Sequence, residues 1–277
     1  MKETKNQSMA EFIETEPGIK LHVSDYGKGK VVVLIHGWPL SDEMYEYQYN
    51  VLRKKGFRVI GITLRGFGKS SQIAGTYNYD VFADDIKKVL DQLEIKDATL
   101  VGFSMGGAIS IHYISRHKCA GISKLVLLGA AAPRWTKNED YPYGFSKEEV
   151  NGLIALLNTN RPQLIDNFGK IFCATEDALP AGIAAWLRSI NMQASPYALE
   201  ECLEALRDSD LRDELADVKI PTAIFHGRKD KICSFEFAGE MKKGIKDSII
   251  VPFEKSGHGL FYEERDKVNE ELIKFIG

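Results

Sequence analysis

The chain has 277 residues, 44% of them hydrophobic and 27% charged, a balance suited to a globular protein with one sizeable core. A formal net charge of −3 gives no electrostatic basis for binding nucleic acid or an anionic membrane surface. No apolar run approaches the ~18 residues of a membrane span, and Met1 to Met9 lack an apolar centre, so neither a span nor a signal peptide is expected.

Four cysteines (Cys119, Cys173, Cys202, Cys233) are scattered, with no C-x-x-C pair and no histidine at ligand spacing. They read as isolated reduced thiols in a cytoplasmic protein, and no metal site or cofactor is expected.

In chain order, Glu11 to Tyr26 read as a β-hairpin turning at Pro17-Gly18, with Ile19, Leu21 and Val23 alternating after the turn. Val31 to Ile35 form a continuous β-branched run, the pattern of a strand buried on both faces of a parallel sheet. It ends in His36-Gly37-Trp38-Pro39. A helix is expected over Asp42 to Lys55 and a second buried strand over Phe57 to Ile62.

Thr63 to Ser71 form a glycine-rich loop whose Gly68-Lys69-Ser70 has the tail of a phosphate-binding P-loop. That motif requires a glycine where this chain has Thr63, and it must open a helix. A nucleotide site is therefore excluded. Tyr79 to Leu93 carry apolar residues at helical spacing.

Ala98 to Phe103 read as a short apolar strand leading into Gly102-Phe103-Ser104-Met105-Gly106 and then a helix. A serine at such a strand-to-helix turn is held with its hydroxyl clear of both elements, beneath the positive end of the helix. Gly102 and Gly106 lie where side chains would collide in so sharp a turn. Lys124 to Gly129 make a further buried strand. Alternating strands and helices predict a parallel sheet with helices on both faces.

At Pro133 the rhythm changes. From residue 134 to 218 no strand is expected; instead there are helical blocks near 146–158, 161–174, 179–193 and 196–206, divided by Pro162, Pro180 and Pro196. Strands return at Ile220 to Phe225 and Ser248 to Phe253. The division is thus a core of residues 1–133 and 219–277, with a helical insertion of residues 134–218.

A nucleophilic serine needs a base within reach and an acid to orient it, and later strand ends are where a parallel sheet would supply them. Asp230 follows the strand ending at Phe225, and His258 lies between two glycines after the last strand. The order Ser104, Asp230, His258 is the one expected for this turn. His22 belongs to the hairpin and His112 and His117 to the helix after Ser104, while His226 ends its strand, where packing and chemistry are equally open. Nothing aims Asp177 or Asp247 at Ser104, and Glu254 follows the last strand where the acid is expected in the earlier loop. An oxyanion would need two N–H donors: Met105, just after the serine, and Trp38, because Pro39 has no N–H and Gly37 makes the turn.

The motifs His36-Gly-Trp-Pro-Leu-Ser41, Arg65-Gly-Phe-Gly-Lys-Ser70, Gly102-Phe-Ser-Met-Gly-Gly107 and Gly257-His-Gly259 together resemble the α/β-hydrolase family, in its cofactor-free haloperoxidase and aryl-esterase branch. The resemblance covers nearly the whole chain after about residue 10. It implies an α/β-hydrolase fold, a mostly parallel eight-stranded sheet with helices on both faces and an inserted helical cap. It also implies Ser104 as nucleophile, Asp230 and His258 as its partners, and Trp38 and Met105 as oxyanion donors. Thr63 departs from the pattern, since relatives usually carry aspartate two residues before the arginine; Ser234 stands where relatives often have proline.

The expected activity is hydrolysis of small carboxylic esters through an acyl-enzyme on Ser104. The alternatives are a perhydrolase or haloperoxidase with the same triad, a carbon–carbon bond hydrolase, and a non-catalytic binding protein of this fold. A dehalogenase or epoxide hydrolase would need aspartate at position 104. The expected partner is a small-molecule ester, and the sequence is compatible with a monomer or a homo-oligomer.

Overall fold

The computed structural model describes residues 9–277. Its elements run β1 (Met9–Glu16), β2 (Ile19–Gly27), β3 (Val31–Ile35), α1 (Glu46–Lys54), β4 (Arg58–Ile62), α2 (Tyr79–Gln92), β5 (Ala98–Phe103), α3 (Met105–His117) and β6 (Ile122–Leu128). Then follow α4 (Lys147–Phe172), α5 (Ala181–Asn191), α6 (Pro196–Asp208), β7 (Thr222–Gly227), α7 (Glu236–Gly244), β8 (Ser248–Phe253), α8 (Leu260–Glu263) and α9 (Arg265–Ile276).

Eight strands among the described residues form one sheet in the order β1-β2-β4-β3-β5-β6-β7-β8. The hairpin β1–β2 joins β4 in antiparallel fashion, and every pairing from β4 to β8 is parallel. The β-branched runs explain this placement. In β3, Val32 and Leu34 pack with Leu52 of α1 and Leu272 of α9 on one face. Val33 and Ile35 pack with Ile86 of α2 and Ile109 of α3 on the other. All six residues of β5 are buried, as a central strand covered on both faces requires.

The expected helix over Asp42 to Lys55 begins instead as a 3₁₀ turn, Asp42–Tyr45, before α1 takes over. Between β6 and β7 the described residues form helices, a 3₁₀ turn and two isolated bridges, Thr136 with Phe145 and Asn138 with Tyr141. Two of the expected helical blocks are joined in α4, which breaks at Asn160 (φ −156°, ψ 73°). There Asn160 Oδ1 accepts from Gln163 N–H at 3.2 Å, so the residue caps a fresh helix and Pro162 falls in its first turn, where a missing N–H costs nothing. Pro180 caps α5 and Pro196 opens α6 in the same way.

The carboxyl ends of β3, β5, β7 and β8 all lie at one edge of the sheet, and His36, Ser104, Arg228 and Glu254 are the residues that follow them. That edge is where open parallel sheets bind ligands.

Candidate active site

Ser104 joins β5 to α3 at φ 53°, ψ −120°, a left-handed conformation that a residue with a Cβ adopts only under constraint. The constraint is backbone hydrogen bonding. Ser104 N–H donates to the Leu128 carbonyl at 3.0 Å, and its own carbonyl accepts from Gly107 at 2.9 Å and Ala131 at 3.0 Å. The turn closes because of the glycines beside it. A Cβ on Gly102 would stand 2.3 Å from the Gly106 carbonyl oxygen, and one on Gly106 would stand 2.4 Å from that of His36. Ser104 is 6% exposed. Near it lies the buried Cys233 thiol, whose ionisation burial pushes well up.

After β7 the chain turns so that Asp230 Oδ1 accepts from the backbone N–H of Ile232 at 2.9 Å and of Cys233 at 2.8 Å. Its other oxygen, Oδ2, accepts from His258 Nδ1–H at 2.8 Å. Because a carboxylate only accepts, this contact puts the proton on Nδ1 and leaves Nε2 as the free base nitrogen. Both side chains are buried, and His258 lines the same cavity as Ser104. Among the hydrogen bonds of the described residues none joins Ser104 Oγ to His258, a gap that commonly closes only when substrate is bound.

His226, also buried, is not a rival base. Its Nε2–H donates to the Cys233 carbonyl at 2.7 Å and holds the Asp230 turn from behind; burial keeps the ring below the usual imidazole range.

The loop after β3 approaches the serine closely: a Cβ on Gly37 would lie 2.7 Å from Ser104 Cβ. Neither the Trp38 nor the Met105 N–H is a donor in any hydrogen bond of the described residues. His36 fixes the loop. Its Nε2 accepts from Leu64 N–H at 3.0 Å, and its Nδ1–H donates to the Gly37 carbonyl at 3.0 Å. Burial depresses its pKa to about 4, so it stays neutral and keeps both bonds at neutral pH. The Trp38 ring points away to α6, donating to the Leu199 carbonyl at 3.1 Å.

Over Ser104 lies a cavity of about 330 Å³, walled by apolar side chains including Trp38, Trp135, Ile165, Phe172 and Ile232. Of the aromatics between 134 and 218, Trp135, Phe168 and Phe172 line it. Tyr141 packs within the core and Phe145 against it, and Trp186 meets Tyr47 edge-on. Charged groups sit at its border, where Asp166 accepts from Arg188 at 2.7 Å.

Several of the remaining histidines and acids are engaged elsewhere. His112 pairs with Asp80 at 2.7 Å and Glu214 at 3.0 Å, His117 with Asp84 at 3.0 Å, and Glu254 with Arg228 at 3.4 Å. Lys69 of the excluded nucleotide motif pairs with Glu43 at 2.9 Å. The departure at Thr63 has a structural answer. Thr63 donates its hydroxyl to buried Asp42, which also accepts from Tyr49 at 2.8 Å. Cys233 and Cys173, read from sequence as isolated thiols, lie beside Ser104 and in the cavity wall. The signal for Cys233 was its place three residues after Asp230; Cys173 had none.

This sheet, with a serine at a strained turn and a histidine–aspartate pair at later strand ends, defines a hydrolase of the α/β type. The chain belongs to the alpha/beta hydrolase fold family, whose profile matches residues 30–265. It is 47% identical to the AB hydrolase superfamily protein YisY of Bacillus subtilis, over 96% of this chain and 99% of that protein. Among solved structures it is similar to the esterase EaEST from Exiguobacterium antarcticum (43% identity, TM-score 0.94, 97% and 99% coverage). It is also similar to a bromoperoxidase from Bacillus anthracis (37% identity, TM-score 0.90, 93% and 95% coverage). Among the described residues no group of three histidine, cysteine, aspartate or glutamate side chains is arranged to hold a metal ion, and no helix is long and apolar enough to cross a membrane.

Proposed function

We propose that the protein is a serine esterase that cleaves small carboxylic esters through an acyl-enzyme on Ser104. The observation that carries this reading is the 2.8 Å contact of His258 Nδ1–H with Asp230, which leaves Nε2 free beside the serine's cavity. As Ser104 Oγ attacks the ester carbonyl, its proton passes to His258 Nε2. The oxyanion accepts from the free N–H groups of Trp38 and Met105. His258 then protonates the departing alcohol as the carbon–oxygen bond breaks. It next deprotonates the water that releases the carboxylic acid and frees Ser104. Asp230 holds the working tautomer throughout.

Residues 134–218 act as a cap over the core, and its apolar wall takes the acyl or aryl group. At about 330 Å³ the cavity lies at the small end of ligand sites, which favours short acyl groups. Four free thiols suit a reducing cytoplasm. Turnover of p-nitrophenyl acetate tests the assignment: Ser104→Ala should lower kcat by at least about 10³-fold, and retained turnover would end it.

The likeness to a bromoperoxidase favours a second acyl acceptor at the same site. Hydrogen peroxide in place of water would release a peracid from the same acyl-enzyme. The ratio of peracetate to acetate formed from one acetate ester, with peroxide present, measures how far this route is used.

A further inference from the structure

The loop that carries His258 has no regular structure, and its shape rests on groups outside it. Ser256 N–H donates within the turn to the Phe253 carbonyl at 3.4 Å, and the Ser256 carbonyl accepts from Lys229 N–H at 3.0 Å. Two consecutive glutamates supply the stronger anchors. Glu264 Oε2 accepts from Lys255 N–H at 3.0 Å and from Ser256 Oγ–H at 2.7 Å. Glu263 Oε2 accepts from Gly257 N–H, the residue before the histidine, at 2.8 Å.

Glu263 also reaches across to the segment that follows α4. Its Oε1 accepts from Ala174 N–H at 2.9 Å. Around that bridge the two segments are in close contact. Gly259 N–H donates to the Phe172 carbonyl at 2.8 Å, and a Cβ on Gly257 would stand 2.5 Å from Ala174 N. The Phe172 ring meets the His258 ring edge-on at 5.7 Å between centroids. Phe172 and Cys173 belong to the cavity wall; Glu263 does not reach the cavity.

We infer that Glu263 is a positioning residue: one carboxylate sets the His258 loop and the cavity wall at residues 172–174 in a fixed relation, so that the base keeps its aim at Ser104. This rests on the esterase reading above. The geometry needs both oxygens as acceptors. A glutamine keeps the size but turns one acceptor into a donor, which then faces an N–H. Displacement of a general base by a fraction of an ångström to an ångström costs up to about 100-fold in rate.

The test compares wild type, Glu263→Gln and Glu263→Asp by p-nitrophenyl acetate turnover, with active sites counted by a fluorophosphonate probe and folding followed by Tm. Glu263→Gln should lower kcat per labelled site about 10- to 100-fold, with KM changed less than about threefold. Aspartate keeps the charge but is too short to span both N–H groups, and should fall between. A role in folding alone would lower Tm or the number of labelled sites and leave kcat per site unchanged, and that result overturns the inference. If glutamine at 263 does not fold, the aspartate variant carries the same comparison. A wild-type protein that neither turns over the ester nor takes the label at Ser104 would refute the esterase reading itself, and the inference would fall with it.

Discussion

Ser104 is held at φ 53° by bonds its neighbours make, so the placement of its side chain is a property of the backbone around it more than of the serine. Strain of this kind costs of order 1–3 kcal/mol and persists only where surrounding structure over-determines it. Asp42 makes a similar point at a site remote from the chemistry. Burial pushes its carboxyl pKa up, but polar contacts with His22, Thr63, Ser24 and Tyr49 outweigh that and hold it below the usual range. Asp42→Asn removes a buried acceptor and should cost about 1–3 kcal/mol of stability at neutral pH. A lowered carboxyl pKa contributes stability above the unfolded value of 3.8, lost as pH falls through the folded value. The stability gap between wild type and variant, from urea unfolding, should therefore narrow as pH falls below about 4; a constant gap would argue against an ionised Asp42.

At the scale of elements, strands and the strand-to-helix turn at Ser104 (the elbow) were legible because burial on both faces leaves an unmistakable run of apolar residues. Val31 to Ile35 and Ala98 to Phe103 carry their assignment in five or six letters. The start of α1 was not, since Ser41 caps a 3₁₀ turn whose sequence also suits an α-helix. The break in α4 at Asn160 was marked by Pro162, although periodicity alone would have run through it. The elbow depends on β3 and α3 approaching without side chains between them. Gly106→Ala would drive a Cβ to 2.4 Å from the His36 oxygen and 2.5 Å from that of Ile35, both backbone atoms of limited give. It should cost about 1–3 kcal/mol and displace Ser104, so Tm and ester turnover should fall together. Unchanged turnover would mean that the turn tolerates a wider spacing than its contacts imply.

At the scale of the whole molecule, the sheet brings together residues separated by more than 150 positions, and their place at strand ends is what made them candidates in the sequence. Ser104, Asp230 and His258 stood at strand ends, where a parallel sheet gathers its loops. The walls of the cavity were not readable in the same way. Which aromatics between 134 and 218 face it depends on how α4, α5 and α6 pack, and amphipathic periodicity does not distinguish a helix face turned to the core from one turned to a cavity. The role of Glu263 was equally hidden, because its partners Gly257 and Ala174 are backbone groups with no side-chain signature.

The most direct measurement is covalent labelling by a fluorophosphonate, read by intact mass, on wild type, Ser104→Ala and His258→Ala. The expected result is one label per wild-type chain, none on Ser104→Ala, and labelling of His258→Ala slowed by about 10³-fold or more. Labelling of Ser104→Ala at the wild-type rate, or of His258→Ala as fast as wild type, would contradict it.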